Sequence, residues 1–371
     1  MQNKYKILMG TNEQGGAECL APVAKHLLAA GHDVLLYSGK SCAAIFTRSN
    51  LKCTIVHDTA PDMQEWASAI LQSEANVVVT GILGKKTNLD YTLIQAAKSL
   101  QVPTVCLLDS WLQYRDRLFD SHHPSDVYWP TKLTVMDESS CEELKKIEFP
   151  ADRIVVTGHP KFDELFGLKK KRTDAKARQN LKRKYGLPAE ESVLVFFSQP
   201  LSKYYSKLEL GYDEYDVVNM LFASYLKLPN PKVGLIIKEH PLKPTLARTE
   251  EYLPPGVQIL KSGDTDELLV LSDVVLGMST TVLVHAALLE IPVLNIQPHV
   301  QRDFNSLTQS GIFKNIATAT ELTQQLSAML SNKKYQSPPM GALLDGHVCE
   351  RITKTLITLI ESGEGSKHNV D

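Results

Sequence analysis

Two short constellations in this chain have the chemistry to hold an oxyanion. Lys238-Glu239-His240-Pro241 closes the apolar run VGLIIK. There an ammonium, an imidazole and a stiff proline offer a cation and a hydrogen-bond donor to a phosphate. A histidine before proline can equally be a turn residue satisfied by backbone. The second constellation, Gly277-Met278-Ser279-Thr280-Thr281, lies between the apolar run DVVL and a helical segment. A strand opening through Gly, Ser and Thr into a helix aims the free N–H groups of the first turn and the neighbouring hydroxyls at one point. The plainer reading is a capped αβ turn. Ser198-Gln199, after SVLVFF, adds two polar groups suited to a phosphate. For proton transfer the candidates are Glu13, Glu18 and Asp109, with Glu13 best placed to take a proton from a hydroxyl. Its segment Asn12-Glu13-Gln14-Gly15-Gly16-Ala17-Glu18 reads as a glycine loop. Gly15 and Gly16 there either let backbone approach a phosphate closely or form an ordinary strand–helix turn. His159, in Thr157-Gly158-His159-Pro160, is a hinge-region residue that either packs or touches ligand.

These groups need strands that end together. Strand and helix signals alternate nearly throughout, which favours parallel sheets flanked by helices. The reading places strands at residues 5–9, 33–37, 53–56, 76–80, 104–108, 133–136 and 154–156. Helices fall at 19–30, closed by Gly31, and at 66–71 and 93–100. A second block has strands at 192–197, 233–238, 273–276 and 292–296, and helices at 216–226, 264–271, 282–290 and 348–360. Polar clusters follow most of these strands: residues 11–16, 81–86, Asp109-Ser110, Ser198-Gln199, Glu239-His240-Pro241 and 279–281. Ligands of open parallel sheets bind at such strand ends. Trp111, Tyr114 and Arg115 after Asp109, and the tyrosine-rich stretch with Tyr204, Tyr205, Tyr212 and Tyr215, suggest stacking surfaces for a sugar or base.

The domain organisation expected is 1–165, a basic connecting helix at 166–190, 191–345, a terminal helix at 346–360 and a disordered tail at 361–371. With 371 residues the chain is long for one core and fits two. A net charge of -2 provides no global basic field for nucleic acid, and the basic stretch 169–185 lacks interleaved aromatics, so it reads as a solvated helix. The six cysteines show no ligand-like spacing, which suits reduced thiols in a cytoplasm. No long apolar stretch opens the chain, so no membrane anchor is expected, although peripheral association with a membrane surface is compatible. No GxxxxGK[ST], GxGxxG or GxSxG motif occurs, which disfavours ATP hydrolysis, dinucleotide redox chemistry and a serine hydrolase. His122-His123 lacks the spaced partners of a metal site.

Four segments carry a family resemblance: IVVTGHPKFDEL (154–165), IIKEHP (236–241), SGDTDELLVLSDVVLG (262–277) and MSTTVLVHAALLEIPVLN (278–295). On these the chain resembles GT-B glycosyltransferases. The nearest group is that of surface-polysaccharide enzymes, which includes Kdo transferases, CDP-glycerol glycerophosphotransferases and UDP-GlcNAc 2-epimerases. The resemblance implies an α/β fold of two Rossmann-like domains facing across a cleft. By it, His240 and Pro241 would touch the nucleotide, and Ser279, Thr280 and Thr281 the phosphate. Glu13 would be the acceptor-side base, and Glu290 would accept hydrogen bonds from a ribose. The chain departs from Kdo transferases in His159, where an Asn is usual, and in Gln-Gly-Gly after Glu13. The implied activity is metal-independent and cofactor-independent transfer of a sugar from a CMP-, CDP- or UDP-linked donor to a hydroxyl of a glycan or lipid-linked acceptor. The oligomeric state is open. Two other readings stand beside it: a nucleotide-sugar 2-epimerase, and a non-catalytic binding subunit.

Overall fold

The computed structural model describes residues 3–56, 62–81, 89–111, 114–118, 129–203, 205–229, 232–240, 246, 253–278, 280–299, 313, 315–331 and 344–363. Residues 82–86, His122, His123, Tyr204, Pro241, Ser279 and the chain beyond 363, all named above, lie outside that description. The chain divides into two compact units: Met1–Glu164 together with Gly341–Asp371, and Leu165–Met340.

The first unit alternates strand and helix in chain order: β1 (Lys6–Thr11), α1 (Gln14–Ala29), β2 (Asp33–Gly39), α2 (Ala43–Arg48), β3 (Thr54–Val56), α3 (Met63–Ser73), β4 (Val77–Thr80), α4 (Leu89–Ser99), β5 (Thr104–Leu107), α5 (Tyr114–Leu118), β6 (Lys132–Val135), α6 (Glu138–Lys146) and β7 (Ile154–Val156). The strands order as β3-β2-β1-β4-β5-β6-β7, and every pair is parallel. β4 and β5 are buried at every position, as continuous apolar strands covered on both faces must be. The order reverses between β1 and β4, where Ile7 pairs Val77 and Gly10 pairs Thr80. That reversal is the switch point, where carboxyl ends leave a crevice.

The glycine loop expected before residue 19 is mostly helix. α1 begins at Gln14 with Glu13 as its N-cap, so both glycines sit in its first turn. They are there for space, since a Cβ on Gly15 would overlap the Asp109 carboxylate. One on Gly16 would stand 2.5 Å from Thr11 Oγ1 and 3.1 Å from Gly81 Cα. Close docking of the helix start on β1 and β4 requires them.

α7 (Lys161–Thr173) and α8 (Ala175–Lys184) follow, then β8 (Ser192–Phe197), α9 (Lys207–Leu210), α10 (Glu214–Tyr225), β9 (Val233–Lys238), β10 (Val257–Leu260), α11 (Thr265–Leu271), β11 (Val274–Gly277), α12 (Thr281–Leu288), β12 (Val293–Ile296), β13 (Asn315–Ile316) and α13 (Ala319–Ser331). The second sheet orders β10-β9-β8-β11-β12-β13, again all parallel. Its switch point lies between β8 and β11. The basic stretch is two helices, broken where the Asp174 carboxylate accepts from Lys176 and Ala177 N–H at 2.9 and 3.2 Å. It is also less solvated than expected. Arg172 donates to the Leu269 and Ser272 carbonyls, and Arg178 to the Leu271 carbonyl and Asp273. Cations thus sit at the carbonyl end of α11, where the helix dipole favours them.

The tyrosine-rich stretch is likewise more ordered than a loop. Capping boxes at Ser206 and Asp213 start α9 and α10. Tyr212 is buried in the core and Tyr215 packs against it, so neither ring is a free stacking surface. The last helix, α14 (Val348–Ser362), returns to the first unit and packs on α1. Its first N–H groups, of Val348 and Cys349, donate to the Asp163 carboxylate at 2.8 and 2.7 Å. Among the described residues, no helix is long and apolar enough to cross a membrane.

Candidate functional site

In each unit several of the candidate residues lie at the carboxyl-end edge of the parallel sheet. In the second unit three adjacent strands, β9, β8 and β11, end in them. Lys238 ends β9, and its backbone carbonyl accepts from Ser198 N–H at 2.9 Å, so the two strand ends are tied. The Lys238 side chain is buried, its Nζ donating to the Glu239 carbonyl at 2.8 Å. Burial lowers its pKa, opposed by the Glu239 charge. Gly263 packs beside its stem, where a Cβ would lie at an ordinary contact distance of 3.6 Å from Lys238 Cε. Glu239 is also buried. Its N–H donates to the Leu260 carbonyl at 3.0 Å and its Oε1 accepts from Leu246 N–H at 2.6 Å. His240 follows, half-buried, and Gln199 beside Ser198 is half-buried too.

Gly277 ends β11, and a Cβ on it would meet Thr280 Cγ2 at 2.8 Å and Leu283 Cδ2 at 3.1 Å. Only glycine lets α12 start so close to the strand. Thr280 is the N-cap of α12, its Oγ1 accepting from Val282 N–H at 3.4 Å, while Thr281 in the first turn is exposed. Buried Gln297, just beyond β12, extends this rim and went unnoticed in the sequence, where nothing distinguishes it from a loop residue.

Glu290 does not join the rim. It occupies the left-handed turn after α12 (φ 59) and precedes β12, which puts it at the amino-end edge of the sheet. There it pairs with Lys169 at 2.6 Å and is largely exposed. A helix that runs antiparallel to its strands carries its last residue away from their carboxyl ends, which separates Glu290 from the polar rim.

In the first unit the rim follows β1, β4 and β5. Thr11, fully buried, ends β1 and its Oγ1 accepts from Glu13 N–H at 3.2 Å. The Glu13 side chain is exposed. Asp109, two residues beyond β5, pairs with Arg117 at 2.5 Å. Burial raises its carboxyl pKa, opposed by the Arg117 charge and hydrogen bond. Sequence reasoning missed two groups here. Arg117 is one; Trp111 and Tyr114, read as stacking surfaces, instead donate hydrogen bonds to Asp137 and Ser140 at 2.7 and 3.2 Å. Asp90 is the other: fully buried in the first turn of α4, it accepts from Asn12 N–H at 3.2 Å. Burial pushes its carboxyl up to about 7, opposed by the nearby Thr11 hydroxyl and by the Asn12 amide. The only sequence signal was an acid set into the apolar face of LDYTLIQAAKS.

Glu18 is tied to Arg48 on the flank of α1. His159 is buried with its Nε2 3.3 Å from Cys19 Sγ, and its Nδ1 accepts from Lys161 N–H at 3.1 Å. Nδ1 being the acceptor, Nε2 carries the proton. Burial drops this imidazole to about 4. Among the described residues no three His, Cys, Asp or Glu side chains converge as for a metal ion.

The chain resembles several solved structures over nearly all its length. A putative UDP-N-acetylglucosamine 2-epimerase from Listeria monocytogenes is 15% identical, with a TM-score of 0.70, covering 97% of this chain and 98% of that one. UDP-GlcNAc 2-epimerase from Neisseria meningitidis, bound to UDP-GlcNAc, is 14% identical at a TM-score of 0.67, covering 95% and 100%. A glycosyltransferase from Rickettsia africae is 14% identical at a TM-score of 0.59, covering 98% and 97%. At such identities the likeness concerns the fold: two Rossmann-like units of the GT-B type, as the sequence resemblance implies. No family profile matches the chain, and no curated protein matches it in sequence.

Proposed function

We propose that this chain is a nucleotide-sugar-dependent glycosyltransferase whose second unit holds the nucleoside diphosphate or monophosphate of the donor. The observation that carries the reading is the tied rim of β9, β8 and β11, where Lys238, His240, Ser198, Gln199 and the Thr280-capped start of α12 share one edge. A lysine ammonium, an imidazole, hydroxyls and a helix start on contiguous strands suit the charge that grows on a phosphate leaving group. In the transfer an acceptor oxygen bonds to the anomeric carbon as the bond from that carbon to the phosphate oxygen breaks. The acceptor proton passes to a carboxylate, a role for which Glu13 is the candidate. Asp109, held by Arg117, is a second acid at the first unit's rim.

Isomerisation of the sugar at C2 is a second reading, favoured by the epimerases among the similar structures. It needs acids and no acceptor, and Asp90 and Asp109 are acids whose pKa burial raises. Thermal shift against CMP, CDP, UMP, UDP and GDP tests the donor site, because a ligand of the folded state raises its melting temperature. One nucleotide should stabilise the protein, and His240→Ala should abolish that shift while keeping the unliganded Tm. A flat panel on folded protein would sink both enzyme readings in favour of a non-catalytic subunit. With the binding nucleotide known, its sugar conjugates incubated without acceptor separate the rest: isomer formation selects the epimerase, and product only with added acceptor selects the transferase.

A further inference from the structure

We infer that Glu214 is a positioning residue for the donor site, holding the segment that carries Ser198 and Gln199 through Ser202. The inference rests on the reading of the second unit's rim as the nucleotide site. Glu214 is the first residue of α10 and is wholly buried. Its Oε2 accepts from Ser202 N–H at 2.9 Å and its Oε1 from the Ser202 hydroxyl at 2.6 Å. Ser202 stands in the short turn that follows β8, whose backbone is closed on itself. Leu201 N–H donates to the Gln199 carbonyl at 2.9 Å, and Lys203 N–H to the Pro200 carbonyl at 3.1 Å. At the near end of the segment, Ser198 N–H donates to the Lys238 carbonyl at 2.9 Å. The stretch from Ser198 to Lys203 is therefore pinned twice, to the end of β9 and to Glu214, with Gln199 between the pins.

The helix that carries this carboxylate does not need it as a cap. Asp213 already accepts from Asp216 N–H at 3.0 Å, and Asp216 from Asp213 N–H at 2.9 Å. An acid in the first turn favours α10 through the helix dipole, but an exposed acid would do so without being buried. The nearby Tyr212 and Val217 belong to the apolar core, and a carboxylate buried there is costly unless it is hydrogen-bonded. Both of its oxygens are used on one residue of the rim segment. A segment ordered beforehand binds a phosphate more tightly, because the ligand does not have to order it.

Hydrogen–deuterium exchange over residues 198–203, read by mass spectrometry without ligand, tests the anchor. The segment should be protected in the wild type. Glu214→Ala should speed its exchange about 10-fold or more, through the loss of hydrogen bonds to a carboxylate. Glu214→Gln should stay near wild type, because its amide can accept from the N–H and donate to the hydroxyl. Should Glu214→Ala not fold, Ser202→Ala serves: it cuts the hydroxyl link at an exposed position, leaves α10 intact and should still speed the exchange. For the nucleotide that stabilises the protein, Kd should rise about 10- to 100-fold in Glu214→Ala and return toward wild type in Glu214→Gln. Unchanged exchange in the alanine variants, or a loosened segment with an unchanged Kd, overturns the inference. A role confined to the stability of α10 would lower Tm and leave Kd unmoved. The exchange needs no ligand, so a nucleotide panel flat in the wild type would count against the donor site alone.

Discussion

His159 shows how burial alone can turn a residue that looks functional in sequence into a stability element. Its ring is buried, lies tilted against Phe162, donates to Cys19 and accepts from Lys161. A histidine held neutral down to about 4 takes no proton from the folded state between about 6.5 and 4, whereas the unfolded chain does. Stability from this group is therefore complete above the unfolded pKa and is lost as pH falls toward 4. The loss approaches about 3 kcal/mol, at about 1.4 kcal/mol per pH unit. Asp90 has the opposite sign: its raised carboxyl costs stability as pH climbs from about 4 to about 7. Together the two flatten the wild-type profile. His159→Gln should be less stable than wild type at pH 8 by about 1 to 2 kcal/mol, through the lost hydrogen bonds. That deficit should shrink or reverse by pH 4.5 in urea titrations. A deficit constant with pH would mean that His159 titrates as an ordinary exposed imidazole.

At the scale of elements, two glycines in helices test whether space or propensity decides. Gly16 faces Thr11 and the Gly81 backbone, whereas a Cβ on Gly167 in α7 meets nothing within 4 Å. Alanine should stabilise Gly167 by about 0.5 to 1 kcal/mol through helix propensity. The same change at Gly16 should destabilise by about 1 to 3 kcal/mol through overpacking. Thermal melts that moved in the same direction would contradict the close docking of α1. The contrast also shows what the sequence could reveal. Long apolar runs such as SVLVFF and VGLIIK announced β8 and β9 at their observed bounds, because strands buried on both faces leave no other reading. β10, which is half-buried throughout, and the two-residue β13 escaped, since edge strands have weak patterns. The GG of α1 misled, because a glycine needed for room looks like one needed for flexibility. Asp90 was invisible for another reason: its partner Asn12 meets it only through the β1–β4 pairing. Glu290 shows that topology decides the end of the sheet an acid occupies, which its spacing in the sequence does not reveal.

For the molecule as a whole, the division into two units makes α14 a strong test. α14 is distant in sequence from the unit it completes. It buries Val348, Cys349, Ile352, Leu356 and Leu359, it packs on α1, and Arg351 donates to the Thr157 carbonyl at 2.8 Å. Five apolar side chains at about 1.5 to 3 kcal/mol each amount to roughly the whole stability of an ordinary domain. Removing residues 341–371 should therefore unfold the first unit and leave the second folded. The chain carries its own reporter: Trp66, Trp111 and Trp129 are its three tryptophans, and all belong to the first unit. In the truncated protein tryptophan emission should shift to the red of exposed indole. Limited proteolysis should still leave a resistant fragment near residues 165–340. Native-like emission would show that α14 is dispensable to the first unit. Loss of the resistant fragment together with the emission would show that the two units fold as one cooperative block.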